Sequence, residues 1–179
     1  IFNANKNDPN RAQFTWKGPQ DLSTKTWLAL EEDFLIVKVE VDDDIHMQSY
    51  PPHESWKADG IQFCFALPDR GGYWDLAAAR QDNGQILFHC FAAPQGLDKS
   101  YADAVKVSIE PRKGGMTYSI RLPLDGFGMK ANDLRQKAVY FNLIANDEDG
   151  GGREGFAFIA KGMGLGKIQP EEWPLVIFE

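Results

Sequence analysis

Two cysteines in 179 residues are too few to build a disulfide framework, and the three histidines have no cysteine or histidine partner at zinc-ligand spacing. No apolar run approaches the ~18 residues of a membrane-spanning helix, and the first residues lack the basic and apolar regions of a secretory leader. Basic charge is scarce as well. Nineteen Lys and Arg are scattered among 26 Asp and Glu, for a net charge of −7. Such a surface offers nothing to neutralise a phosphate backbone, which argues against a nucleic-acid partner. Helical periodicity is confined to one stretch, Asp125 to Lys137. What remains is an ordinary globular composition, 43% apolar and 25% charged. A chain of this length can bury about 70% of its unfolded surface as one domain, expected over 1–179, without a metal or disulfide to hold it. The start at Ile1 rather than Met leads to the expectation of a module excised from a longer chain.

Strand patterns fill the rest. Leu35, Val37, Val39 and Val41 alternate with Ile36, Lys38, Glu40 and Asp42, which gives one core face and one wet face. Ile61, Phe63, Phe65 and Leu67 repeat the pattern against Gln62, Cys64 and Ala66, as do Trp74, Leu76 and Ala78 against Asp75, Ala77 and Ala79. Asp82-Asn83-Gly84 marks a tight hairpin into a strand from Gln85 to Phe91. Further strands are expected at Ala12 to Trp16, around Trp27 to Glu31, over Ala104 to Glu110, along Tyr118, Ile120 and Leu122, and from Val139 to Ala145, with Phe156 and Phe158 following a glycine-rich turn. Ile45 to Glu54, with Pro51-Pro52, is expected to be irregular. About ten short strands with one-sided alternation predict an all-β, antiparallel two-sheet β-sandwich. Cys64 and Cys90 fall on opposite faces in this scheme, so two thiols are expected rather than a bridge.

Two sets of side chains carry chemistry. Trp56 lies just before the turn Ala58-Asp59-Gly60, where a flat ring can stack on a ligand, and Gln62 and His89 point outward on the strands that follow. Asp42, Asp43, Asp44, Asp147 and Asp149 supply hard oxygen donors of the kind calcium takes. The same acids could pair as a glycosidase's acid and base, but they sit in turns with no evident cleft between them.

The order Trp56-Lys57-Ala58-Asp59-Gly60-Ile61-Gln62-Phe63, the hairpin at 82–84, the block from Phe141 through Asn146-Asp147-Glu148-Asp149-Gly150 to Arg153-Glu154-Gly155, and Pro170-Glu171-Glu172-Trp173 resemble the family 9 carbohydrate-binding modules. The resemblance implies a β-sandwich without catalysis that binds a poly- or oligosaccharide and sometimes calcium. It also implies a catalytic glycan-degrading domain on the same polypeptide and an extracellular, periplasmic or cell-surface location. In such modules the sugar lies between two tryptophans. Trp56 matches the first, Gln62 a polar contact, and Asn142 and Asn146 the strand lining the same region. Lys167-Ile168-Gln169 stands where the second tryptophan is expected, and Ala77 and Ala79 stand where an Arg and an Asn are expected. Trp173 matches an inward-packing position. Relatives of this sandwich include haem-binding electron-transfer domains, for which His46, Met47, His89, Met116 and Met163 are candidate ligands. A spacer domain without a ligand is the third possibility.

Overall fold

The side-chain alternation read from the sequence is realised in a computed structural model that describes residues 2–3, 17–68, 71–97, 99–136, 138–164 and 168–178. In chain order its strands are β1 (Phe2–Asn3), β2 (Leu22–Glu31), β3 (Phe34–Asp43), β4 (Gly60–Ala66), β5 (Trp74–Arg80), β6 (Ile86–Ala92), β7 (Lys106–Arg112), β8 (Gly115–Pro123), β9 (Val139–Asp147), β10 (Gly155–Phe158) and β11 (Leu175–Val176). One short helix, α1 (Ala131–Gln136), precedes β9. The expected strand at Ala12 to Trp16 lies outside the described residues.

The strands form two antiparallel sheets, one in the order β2-β3-β8-β7 and a larger one in the order β1-β10-β9-β4-β5-β6. β11 shares an edge of β9 with β10, pairing at 139–140 while β10 pairs at 144–147. The core lies between the sheets because the apolar phase of each strand turns inward: Val37 and Val39 from β3, Ile120 from β8, Phe63 from β4, Leu76 from β5 and Leu143 from β9 are buried together. Burying each such side chain is worth roughly 1.5–3 kcal/mol, so the alternation alone selects this two-layer packing.

The larger sheet is also covered over part of its outer face. There Cys64, Ile144, Phe156, Met163 and Trp173 form a second, smaller core, and Trp173 donates its indole N–H to Gly162 O at 3.0 Å. Cys64 therefore sits outside the sheet, while Cys90 sits in the main core.

Two expectations needed correction. The segment expected to be irregular up to Glu54 ends in a turn of 3-10 helix, Pro52–Lys57, because proline is tolerated in a first helical turn, where its missing N–H costs nothing. The helix expected over Asp125 to Lys137 begins only at Ala131. Leu124 O instead accepts from Phe127 N at 3.1 Å and Met129 N at 2.9 Å, closing a loop in which Gly128 has a left-handed φ of 65°.

Candidate functional site

The outer face of the larger sheet is left open where β4, β5 and β6 run beneath the 3-10 turn. Trp56 sits on that turn with 38% of its surface exposed. The turn is pinned from below by Gln48, which is fully buried and donates its Nε2 to Ser55 O (3.1 Å) and Asp59 O (2.7 Å). Gly60 then starts β4 against β5. A Cβ there would lie 2.9 Å from Ala79 Cβ and 3.0 Å from Ala78 O, so this close approach requires glycine.

Beside the ring, Gln62 Nε2 donates to Asp75 Oδ1 at 2.8 Å. Trp56, Gln62 and Asp75, with Phe91, His53, Arg153 and Ile168, line a groove of about 420 Å³. Phe91 reaches it through a β-bulge: Leu76 pairs with Cys90 and Asp75 with Ala92, which leaves Phe91 as the extra residue. The Arg153 guanidinium lies 5.6 Å from the Trp56 ring centre and 4.5 Å from that of Phe156. An aromatic face beside a paired amide and carboxylate is a surface for a flat, hydroxylated ligand. The apolar side of such a ligand stacks and its hydroxyls hydrogen-bond at the edge.

At one end of the sandwich, where β2 begins and β3 and β9 end, carboxylates converge. Asp43, Asp147 and Asp149 have oxygens all within 4.8 Å of one another, and so do Asp21, Asp44 and Asp149. Asp43 also joins Asp59 and His46 at the same spacing. Two oxygens on one calcium ion at ~2.3–2.6 Å each can be up to roughly 5 Å apart, so these spacings suit a shared cation. The burial is severe: Asp147 is 1% exposed and Asp21 4%. Asp147 Oδ2, Asp21 Oδ1 and Asp149 Oδ1 have no hydrogen-bond partner. The neighbouring cation among the described residues is Lys17, with its Nζ 3.5 Å from Asp21 and 3.7 Å from Asp149. Desolvation, reinforced by neighbouring carboxylates, pushes Asp43 up to about 7 and Asp147 up to about 8. The same causes raise Asp59 well above the usual carboxylate range. Unpaired buried carboxylates are costly unless an ion neutralises them, and this donor set can hold a metal ion.

The structure brings together only part of what the sequence suggested. Asp43, Asp44, Asp147 and Asp149 meet in the cluster, but Asp42 does not. Strand parity turns it to the outside, where it accepts from Arg112 and from the Ser23 hydroxyl at 3.3 Å. Asp21 and Asp59 are additions that no local motif marked. Asn142 shares a strand face with Gln62, yet it lies beneath the second core with no exposed surface. Its Nδ2 donates to Ala160 O (2.8 Å) and Lys161 O (3.0 Å), and its Oδ1 accepts from Ala160 N (3.0 Å), so it latches the return segment. Asn146 is also buried, its Oδ1 without a hydrogen-bond partner. His89 shares the outer face with Gln62 but is not part of the groove's lining, and its ring lies edge-on to that of Phe91 at 4.7 Å.

Ile168, from the stretch where a second tryptophan was expected, forms a wall of the groove, and Phe91 supplies a second ring. The alternation could place Asp75 on the outer face, but the bulge that delivers Phe91 leaves no signature in the sequence. The candidate haem ligands are dispersed. Met116 lies in the main core, Met163 in the outer one, and His46 sits by the acids with its Nε2 2.7 Å from Arg80 O.

The sequence matches no known family profile and no curated protein. At the level of structure, a family 9 carbohydrate-binding module from Caldicellulosiruptor kristjanssonii in complex with cellotriose superposes with a TM-score of 0.65 at 14% identity, over 96% of this chain and 86% of that one. Its complex with glucose gives 0.65 at 14% identity, over 96% and 87%. A provisionally assigned carbohydrate-binding protein from Bacteroides uniformis gives 0.60 at 14% identity, over 92% and 82%. At these identities the likeness is one of architecture, and it agrees with the order of strands and the two sheets described above: the chain has the β-sandwich fold of the family 9 carbohydrate-binding modules.

Proposed function

We propose that the chain is a non-catalytic carbohydrate-binding module, folded as one unit over its length, whose ligand lies on Trp56 with its hydroxyls at Gln62 and Asp75. The observation that carries this reading is a partly exposed tryptophan held on a pinned turn beside an amide–carboxylate pair, in an open groove. A pyranose has an apolar face of C–H groups and a rim of hydroxyls, and this groove offers a partner to each. The acidic end fits calcium, whose hard oxygen preference matches the all-carboxylate trios and would relieve their mutual repulsion. Such a module serves a glycan-degrading enzyme by holding it on its substrate, which fits an extracellular, periplasmic or cell-surface setting and a catalytic domain on the same polypeptide.

With Phe91 and Ile168 in place of a second tryptophan, binding is expected in the millimolar to high-micromolar range. Titration with glucose, cellotriose and a panel of other soluble oligosaccharides, followed by tryptophan fluorescence in wild type and Trp56→Ala, tests the reading. One ring face is worth about 0.5–1.5 kcal/mol beyond area burial, and the variant loses that as well as the burial, so it should bind at least roughly two- to tenfold more weakly. Equal affinity would remove Trp56 from the site. Silence across the panel would favour a spacer domain.

A further inference from the structure

The groove and the acidic cluster are built from the same two pieces of chain. Asp59 belongs to a trio of potential ligands with Asp43 and His46, and its carboxylate accepts from Met47 N (2.6 Å) and Glu148 N (2.8 Å). Its carbonyl is held by Gln48, the side chain that also holds Ser55 directly before Trp56. On the other side, Asp147 ends β9, and the loop that follows carries Asp149 and then Arg153. That loop is braced as a unit, because Glu148 Oε1 accepts from Gly150 N (2.7 Å) and Gly152 N (2.9 Å) while Glu154 N donates to Asp147 O (2.8 Å). Arg153 then lies over the Trp56 ring.

From this shared construction we infer that a divalent cation held by Asp43, Asp147 and Asp149 positions Arg153 against Trp56, so that the groove takes its glycan tightly only when the cation is bound. The inference rests on the reading of the groove as a glycan site. The physical argument is one of like charges. Five carboxylates, from Asp21, Asp43, Asp44, Asp147 and Asp149, meet at one end of the sandwich, and buried oxygens on three of them lack hydrogen bonds. Without a cation these acids either repel one another or bury unsatisfied carboxyl oxygens, and both costs are relieved when the 147–153 loop moves outward and takes Arg153 with it. With a cation the loop closes, Arg153 is held against the Trp56 ring, and the groove wall is complete before the sugar arrives. Preorganisation of this kind raises affinity without any contact between cation and sugar.

Coupling between two sites is reciprocal, and typical values correspond to fivefold or more in affinity. The experiment is a calorimetric titration of cellotriose into the protein with saturating calcium and again after chelation, with the fold verified by far-ultraviolet circular dichroism in both. The expected result is a dissociation constant about fivefold or more higher without calcium, with the same factor recovered when calcium is titrated in the presence of cellotriose. Arg153→Met keeps the loop acids but removes the guanidinium, and should bind cellotriose equally with and without calcium.

An unchanged dissociation constant in a wild-type protein that binds calcium overturns the coupling. Full calcium dependence in Arg153→Met overturns the route through Arg153. A sugar-free measurement separates this inference from the reading it rests on: calcium should shift the tryptophan emission of the wild type, and Trp56→Phe should lose that shift. If no glycan binds under any condition, the groove reading fails. The emission shift then still decides whether the cation brings Arg153 against Trp56, and its absence overturns the inference.

Discussion

The outer faces of the two sheets were built by the same alternation and ended with different fates. On the four-stranded sheet Lys25, Trp27, Lys38, Glu40 and Ser119 point to water, and the polar contacts are local: Lys38 Nζ lies 3.3 Å from Glu40 and 5.1 Å from the Trp27 ring, and Arg121 pairs with Glu31 at 2.8 Å. On the seven-stranded sheet the outer residues Cys64, Asp75, Ala77, Ala79, Asn142 and Ile144 are buried, and the groove at Trp56 is where the cover stops. Both faces carry an exposed tryptophan, Trp27 at 46% and Trp56 at 38%. Exposure therefore does not distinguish a binding ring from an incidental one. The difference is support. Trp56 stands on a turn tied by buried hydrogen bonds and beside a paired amide and acid, whereas Trp27 lies along an edge strand with only the Lys38 side chain, itself paired with Glu40, packed on its ring.

The largest effect that sharpens this contrast is expected from the acidic rim of the covered face. If calcium is present at ~100 times its dissociation constant, it stabilises the native state by ~2.7 kcal/mol. Chelation should then lower the melting temperature by about 5–10 °C, at ~2–4 °C per kcal/mol for a chain of this size. The pH dependence has a definite sign. Asp43 and Asp147 hold their protons up to about pH 7 and 8 in the cation-free fold, but release them near ~3.9 when unfolded. Over that window the folded state binds more protons, so stability without calcium falls as pH rises from ~4 towards ~8. Calcium favours the charged carboxylates and should abolish the fall. Differential scanning fluorimetry at pH 5 and pH 8, with chelator and with calcium, checks both points. Identical melting in all four conditions would mean that the cluster holds no ion.

A somewhat smaller effect is expected from the latch beneath the cover. Asn142→Ala leaves Ala160 N and two carbonyls without partners, at a cost of roughly 1–3 kcal/mol. Chemical denaturation should show that loss, with hydrogen exchange rising first across 156–163. A variant as stable as wild type would contradict the latch. The smallest effect belongs to the open face. Trp27→Ala should change stability by no more than ~0.5 kcal/mol and leave glycan affinity where it was. Loss of affinity in Trp27→Ala, read by the same fluorescence titration, would reverse the comparison and move the site to the other sheet.

How much of this could be read beforehand differs between fold and site. The inner faces were legible because Val37, Phe63, Leu76 and Ile120 each sit in an unbroken period of two, and burial of one face follows from that period alone. Trp56 and Gln62 were legible as a ring and an amide flanking one turn. Asn142 and Asn146 were placed on the correct face, but nothing local to them shows that Phe156, Met163 and Trp173 form a cover on that face, or that Ala160 and Lys161 come to Asn142. Asp42, Asp43 and Asp44 look alike as a run, yet the strand's parity sends Asp42 to Arg112 and Asp43 inward. Arg153 lies far from Trp56 in the chain and reaches it only through the turn of the 147–153 loop.

The sequence by itself thus determined the two-layer antiparallel architecture, the acidic character of the loops and the position of Trp56, because these depend on side-chain period and local turn chemistry. Tertiary structure alone decided which tryptophan gains a groove, which acids around the start of β2 and the ends of β3 and β9 meet, and that Phe91 enters through a bulge. Each of these depends on the register between strands distant in the chain, and register is set only when both sheets close on their common core.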